Sequence, residues 1–283
     1  MTLQVHTRSG KRQATLKVRQ SVSQLTRHEV TRLRKTIQAA LDRHDNRGYQ
    51  FFAGWHGVPL GICQHHNELF LPWHRGYLYH FELALQDIDP EVTIPWWNWM
   101  DEPGIPPAYE RRRVGGTANV LASAPIRPLG TPRQPGWPRK THRDLQAPVP
   151  PGLPAPLPPP LRAAQFPGTT GGAWEWMMSS PSYSQFMQRC WRVHDNVHVW
   201  VGGEMSDANW AAYDPLFWAH HSMVDRLWRI WQHRNPGARP GHRTLGEPMT
   251  FAREPSMKVR EVLDVKELGY EYAAQSASAD GPA

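Results

Sequence analysis

DPLFWAHHSMVDRLW, residues 214–228, opens with an aspartate followed by proline, the pairing of a carboxylate cap with a residue pre-set for the first helical position. Val224, Leu227, Trp228 and Trp231 then recur at helical spacing, and Asn235-Pro236-Gly237 supplies the stop. Within this helix lie two adjacent histidines, His220 and His221. Neighbours on a helix point about 100° apart, so only one of the pair can face a given ion.

Working outward, HDNVHVWVGGEM (194–205) carries His194 and His198 four residues apart, on one face of a helix. Such a pair is weak evidence alone, because helices carry it by chance and zinc sites use it too. GWHGVPLGICQHHNELFLPWHRGYL (54–78) adds His56, the pair His65-His66, and His74. A helix is expected from about His74 to Ile88, with Leu78, Phe81, Leu85 and Ile88 on one side. Nearer the N-terminus, Thr26 and Glu29 have capping-box spacing ahead of Val30, Leu33, Ile37 and Leu41. Four core helices with long connections predict a mainly α chain, a four-helix bundle with metals in its interior. Imidazole clusters without carboxylates at the ligand positions suit copper better than magnesium, calcium or manganese.

His65–Glu82 (HHNELFLPWHRGYLYHFE) and Asp214–Asp225 (DPLFWAHHSMVD) together resemble the two copper signatures of the tyrosinase, polyphenol oxidase and hemocyanin superfamily. Val18–Val22 (VRQSV) and Val262–Tyr272 (VLDVKELGYEY) resemble the ends of its catalytic domain, so the likeness covers about residues 16–272. It implies one catalytic domain, 1–283, with two copper ions per chain, held by His56, His65 and His74 and by His194, His198 and His221. The family pattern selects His65 over His66 and His221 over His220, leaving His220 a packing or hydrogen-bonding role. Cys63, two residues before His65, resembles the C-x-H of fungal and molluscan members, implying a thioether between the Cys63 sulfur and the His65 ring.

The resemblance implies O2-dependent oxidation of o-diphenols to o-quinones, with the monooxygenase step, o-hydroxylation of monophenols, expected alongside. A catechol or o-aminophenol oxidase without that step is the alternative, and hemocyanin-like O2 binding is the reading from another class. Carriers of that class cover the site with an additional domain, whereas AAQSASADGPA alone follows Tyr272, which favours catalysis. Phenols of pKa near 10 need a proton acceptor. Similar bacterial enzymes place an asparagine after the first ligand of the second cluster and a glutamate upstream. Here the residue is Asp195, expected to draw the phenolic proton, while Gln185 and Gln188 occupy the upstream region. Val199, after His198, is expected to wall the substrate mouth.

The 283 residues carry a formal charge of +7, but the arginines are scattered and accompany no nucleic-acid motif, so no nucleic-acid partner is expected. No apolar run is long enough for a membrane span, and the polar, basic N-terminus lacks a signal-peptide centre, which reads as cytoplasmic. Export with, and copper delivery by, a separate helper protein is the other route. Two cysteines, Cys63 and Cys190, make no disulfide framework. Residues 103–167, including APVPPGLPAPLPPPL, are expected to form an extended surface insertion, and 273–283 a disordered tail.

Overall fold

The computed structural model describes residues 16–102, 104–125, 172–251 and 256–274. In chain order these form β1 (Lys17–Arg19), α1 (Arg27–Asp42), α2 (Tyr49–His56), α3 (Phe70–Gln86), α4 (Pro107–Glu110) and a small hairpin, β2 (Arg113–Val114) and β3 (Thr117–Ala118). Then come α5 (Gly172–Met178), α6 (Tyr183–Val201), α7 (Leu216–Arg234), α8 (His242–Gly246), β4 (Pro248–Met249), β5 (Met257–Lys258) and β6 (Tyr270–Tyr272). No helix among the described residues is long and apolar enough to cross a membrane.

The capping box holds: Thr26 accepts from the Glu29 amide at 3.2 Å, and Glu29 accepts from the Thr26 amide at 2.7 Å. Leu33, Ile37 and Leu41 are buried on the face that follows. Asp214 caps as expected, accepting from the Leu216 amide at 2.9 Å, and Pro215 already has helical angles, although α7 itself runs from Leu216. Asn235 ends it.

Two expectations need correction. Helix α3 begins at Phe70, so Phe-Leu-Pro-Trp is its first turn and not an approach to it. Proline is tolerated there because first-turn amides have no intrahelical partner. The helix α2 that ends in His56 was not expected at all. Tyr49, Gln50, Phe52, Ala53, Gly54, Trp55 and His56 are all buried, so it lacks the one-sided pattern by which helices are read. The bundle around the histidines is α2, α3, α6 and α7, with α3 packed most extensively on α7 and α1 set against α2 and α3.

The first and last strands of the described residues meet. β1 pairs in parallel with β6, Lys17 opposite Tyr270 and Arg19 opposite Tyr272. Behind this pair lies a buried charge network. Arg19 donates to Glu82 at 3.0 Å and Arg75 donates to Asp225. Tyr270 and Tyr272 each donate to Asp225 Oδ2 at 2.6 Å. Arg75 Nη1 also donates to the carbonyls of Val262 and Leu263, tying the C-terminal segment to the residue beside His74. The buried Arg75 and Arg19 guanidinium groups hold the Asp225 carboxyl below its usual range, against a burial effect that alone would raise it.

Residues 104–125 are folded against the core and do not form the extended surface chain expected for the start of the insertion. Ile105, Tyr109, Val120 and Leu121 are buried, and Asn119 donates to the carbonyls of Ala108 and Arg111. Residues 126–171, with the proline-rich run, lie outside the described residues, as do 275–283 of the expected tail.

Candidate metal centre

Each histidine of the first cluster arrives on a different element. His56 closes α2, His65 sits in the connecting loop, and His74 lies one turn into α3. Backbone carbonyls fix two of the rings. His56 Nδ1 lies 2.9 Å from the Ala208 carbonyl, and His74 Nδ1 lies 2.7 Å from that of Phe70. A ring that donates from Nδ1 presents an unprotonated Nε2, the form a metal needs. Gly57 permits the first contact: a Cβ there would lie 2.2 Å from the Asn209 carbonyl oxygen, one residue from Ala208.

The second cluster is tighter. His198 Nε2 lies 3.0 Å from His194 Nε2 and 3.4 Å from His221 Nε2, and the His194 and His221 atoms are 3.2 Å apart. His198 Nδ1 lies 2.6 Å from the Met205 carbonyl. Gly202 and Gly203, at φ 71° and 60°, turn the chain after α6 so that Met205 returns over His198. The left-handed region they occupy is open to glycine and costly for most other residues. His194 Nδ1 lies 3.0 Å from Asp195 Oδ1, and Trp191 Nε1 donates to Asp195 Oδ2 at 2.5 Å.

The clusters face one another across α3 and α7. The His74 and His221 rings stack with centroids 4.4 Å apart. Phe70 and Phe217, each four residues before the histidine of its own helix, pack rings against both sets: Phe70 edge-on to His74 and His194, Phe217 edge-on to His56 and tilted on His221. These six histidines therefore come together as the sequence reading groups them. Cys63 joins the first group, its sulfur 3.4 Å from His65 Nε2 and 3.3 Å from His74 Nε2. His220 joins the second at greater remove, stacked on His194 with neither ring nitrogen hydrogen-bonded.

Burial sets the charge state. Loss of water, reinforced by neighbouring imidazoles, drives His56, His74, His198 and His221 well below the ordinary value and His65 to about 4. His194 is lowered less, since burial there is opposed by the hydrogen bond to Asp195. Neutral nitrogens at about 3 Å spacing with no protons between them repel. Three nitrogens each roughly 2.0–2.1 Å from one first-row ion sit at such separations. The buried His56 Nε2 has no hydrogen-bond partner, as a nitrogen reserved for a metal would not. The donors fit a pair of copper ions, one per triad.

Residues 46–234, which contain both histidine clusters, match a family model, the common central domain of tyrosinase. The chain belongs to the tyrosinase family. It is 33% identical over 182 residues to a tyrosinase from Streptomyces glaucescens, covering 62% of this chain and 66% of that protein. It is 30% identical over 236 residues to one from Streptomyces antibioticus, covering 78% and 85%. A functional unit of octopus hemocyanin superposes with a TM-score of 0.72 at 24% identity, over 91% of this chain and 68% of that one, which shares the fold. This tyrosinase-family chain is thus a copper oxidase of a phenol-oxidising family, and two copper ions are the family's cofactor.

The site opens to solvent through a cleft of about 220 Å³, floored by His56, His65, His194 and His198 and walled by Asp195, Val199, Met205, Ser206, Ala208 and Ala211. Val199, in the cleft wall, is 66% exposed. Asp195 also lines the mouth, but both its oxygens are engaged, and those hydrogen bonds hold its carboxyl below the usual range despite partial burial. Its first task is to hold His194 in the tautomer that frees Nε2. The sequence reading, which expects Asp195 to draw the phenolic proton, did not anticipate these two contacts. The signal was present: Trp191 stands one helical turn before Asp195.

Acid should loosen this centre. Histidines lowered in the fold take up protons more readily in the unfolded chain, where their pKa is about 6.5. Their stabilising contribution is therefore complete above about 6.5 and is lost as pH falls toward the value of about 4 at His65. The melting temperature of copper-free protein should fall steadily from about pH 6.5 to 4, and copper-loaded protein should release its metal below about pH 5. Equal melting temperatures at pH 7 and 4.5 would contradict it.

Proposed function

We propose that this chain oxidises o-diphenols to o-quinones with O2 as oxidant, and that hydroxylation of monophenols is the weaker of its activities. The observation that carries the reading is a pair of buried, neutral histidine triads at the floor of a cleft open to solvent. His56, His65 and His74 would hold one copper, and His194, His198 and His221 the other. When bound, the pair supplies O2 binding and two-electron redox chemistry that side chains lack.

The remaining chemistry belongs to the protein. Ala208 and Ala211 leave room for one aromatic ring, and Val199 gives it an apolar wall. Phe70 and Phe217 exclude water beside the imidazoles and hold them apart from competing donors. The catechol must lose two protons, and Asp195 is the carboxylate at the mouth. Already engaged by two donors and held low, it orients an accepting water better than it keeps a proton itself. Gln185 and Gln188 offer no second carboxylate upstream. That supports diphenols, whose second hydroxyl makes them easier to oxidise. A catechol or o-aminophenol oxidase with no monophenol step is the second reading, favoured by the same engagement of Asp195.

Copper-loaded protein given 4-ethylcatechol should consume O2 and form quinone, with 4-ethylphenol at least ten-fold slower. Asp195→Ala should lower copper affinity by about 10–100-fold, as loss of a ligand-orienting partner does, and should impair both substrates. No quinone from any catechol by protein holding two coppers would overturn the reading.

We further propose the Cys63–His65 thioether. The buried thiol, kept protonated by burial, already lies against the His65 ring. Forming the S–C bond would remove one hydrogen from sulfur and one from a ring carbon, two electrons and two protons that O2 would take up as hydrogen peroxide once the histidines hold copper. Copper-loaded protein should therefore be about 2 Da lighter than copper-free protein (two hydrogens). Cys63→Ser should show no such loss, and a titratable Cys63 thiol in active enzyme would contradict the bond.

A further inference from the structure

The two segments that supply every lining residue of the cleft lack basic side chains of the lysine or arginine type. From Gly48 to His74 the sequence holds Glu68 and no Lys or Arg. From Val193 to Asp225 it holds Asp195, Glu204, Asp207, Asp214 and Asp225, again with no Lys or Arg. This is the reverse of a chain with 32 Lys and Arg against 25 Asp and Glu. Asp214 and Asp225 are buried, but Asp195 lines the mouth at 43% side-chain exposure. Asp207 stands exposed between the lining residues Ser206 and Ala208. Among the described residues, Asp195 is the one acidic or basic side chain besides histidine that faces the cleft. Its basic neighbour is His66, whose Nε2 lies 3.7 Å from Asp195 Oδ2. The cleft is a ligand site on independent grounds, since the buried His56 Nε2 on its floor is unpartnered.

We propose that Asp195 makes this cleft selective for the charge on the substrate's ring substituent, favouring amine-bearing catechols over neutral ones and disfavouring carboxylated ones. The inference rests on the phenol-oxidase reading and adds the substrate class. With the ring seated over the histidines, a substituent on a two-carbon arm must leave past the mouth, where Asp195 stands. A unit charge about 6 Å from this half-exposed carboxylate changes an equilibrium between about three-fold and about a hundred-fold, depending on whether water or protein sets the dielectric. An acidic side chain that also fixes His194 is a positioning residue, and the charge effect separates the two roles. Loss of orientation lowers turnover of all catechols alike; loss of charge changes their order.

The test uses copper-loaded full chain at pH 8, above the titration range of free imidazole, and three catechols sharing one ring. These carry a 2-aminoethyl, an ethyl or a 2-carboxyethyl arm. The wild type should show kcat/KM in the order cation, neutral, anion, with about ten-fold or more between the extremes. Raising salt from 20 to 500 mM should compress the ratio, because screening acts on the charged pairs only. Asp195→Asn should compress it several-fold toward one, whatever its absolute rate. Calorimetric binding of 2-phenylethylamine and 3-phenylpropanoate, which cannot be oxidised at the ring by this route, should show the same preference without turnover. Should Asp195→Asn fail to hold copper, the wild-type order, its salt response and the calorimetry decide. Equal or reversed preference in the wild type, or an Asp195→Asn ratio equal to wild type, overturns the proposal. Failure of the neutral catechol to react at all would instead overturn the phenol-oxidase reading.

Discussion

His198→Ala should reduce bound copper from two ions per chain to about one and lower catechol oxidation at least a thousand-fold. His198 Nε2 forms two edges of the nitrogen triangle, at 3.0 Å to His194 and 3.4 Å to His221. Its Nδ1 is anchored at 2.6 Å from the Met205 carbonyl, so the ring has one orientation. Without it, His194 and His221 remain as two donors, too few to close a site of the usual three-nitrogen type. Partners that merely orient a ligand are worth about 10–100-fold in affinity, and a ligand itself should exceed that. His74→Ala should do the same at the first cluster, where Phe70 fixes the ring. Neither variant should unfold copper-free protein, because each removes one of several buried imidazoles that repel when no metal is present. Melting curves within a few degrees of wild type, with copper lost, are the expected pair of results. Wild-type copper content and turnover in either variant would show that the assignment is wrong.

Asp225→Ala should have the largest effect on stability, about 3–5 kcal/mol, the usual cost of stranding a buried charge. Asp225 is 3% exposed and accepts from Arg19, Arg75, Tyr270 and Tyr272. Those donors come from β1, α3 and β6, so one carboxylate joins the first and last described strands to the two helices that carry His74 and His221. Removing it leaves Arg75 with carbonyls and Gln232 but no carboxylate, and leaves Arg19 with Glu82 and the Tyr272 hydroxyl. The network lies one turn beyond His221, so the loss should also reach the metal centre. Thermal unfolding should begin about 6–20 °C below wild type, at roughly 2–4 °C per kcal/mol for a domain of this size. Copper affinity should fall with it. A change within 2 °C would mean that the charges are better solvated than their burial indicates.

Much of this was legible from residue order. The capping box at Thr26 and the Asp214-Pro215 start were local signals, and both survive in the fold because each cap satisfies amides of its own first turn, whether exposed as at Thr26 or buried as at Asp214. The histidine groups were legible because His194 and His198 share one helix at four-residue spacing and because the signatures around His74 and His221 are long. Helix α2 was not, since a segment buried on every side has no apolar stripe to betray its period. The start of α3 was hidden by Pro72, which reads as a breaker unless it is known to sit in a first turn. Asp195 looked like a free base because its partners, Trp191 Nε1 and His194 Nδ1, are set by side-chain orientation on α6 and not by composition. Buried positions at 105–121 were masked by the proline content that follows them.

Stepwise return of copper to copper-free protein, with bound metal and catechol-dependent O2 consumption measured on the same samples, tests the central claim most directly. Two triads acting as one centre predict saturation at two coppers per chain. They also predict an activity that lags behind the first copper and rises as roughly the square of occupancy when the sites fill independently. Saturation at one copper, or activity in linear proportion from the first ion bound, would contradict a paired centre.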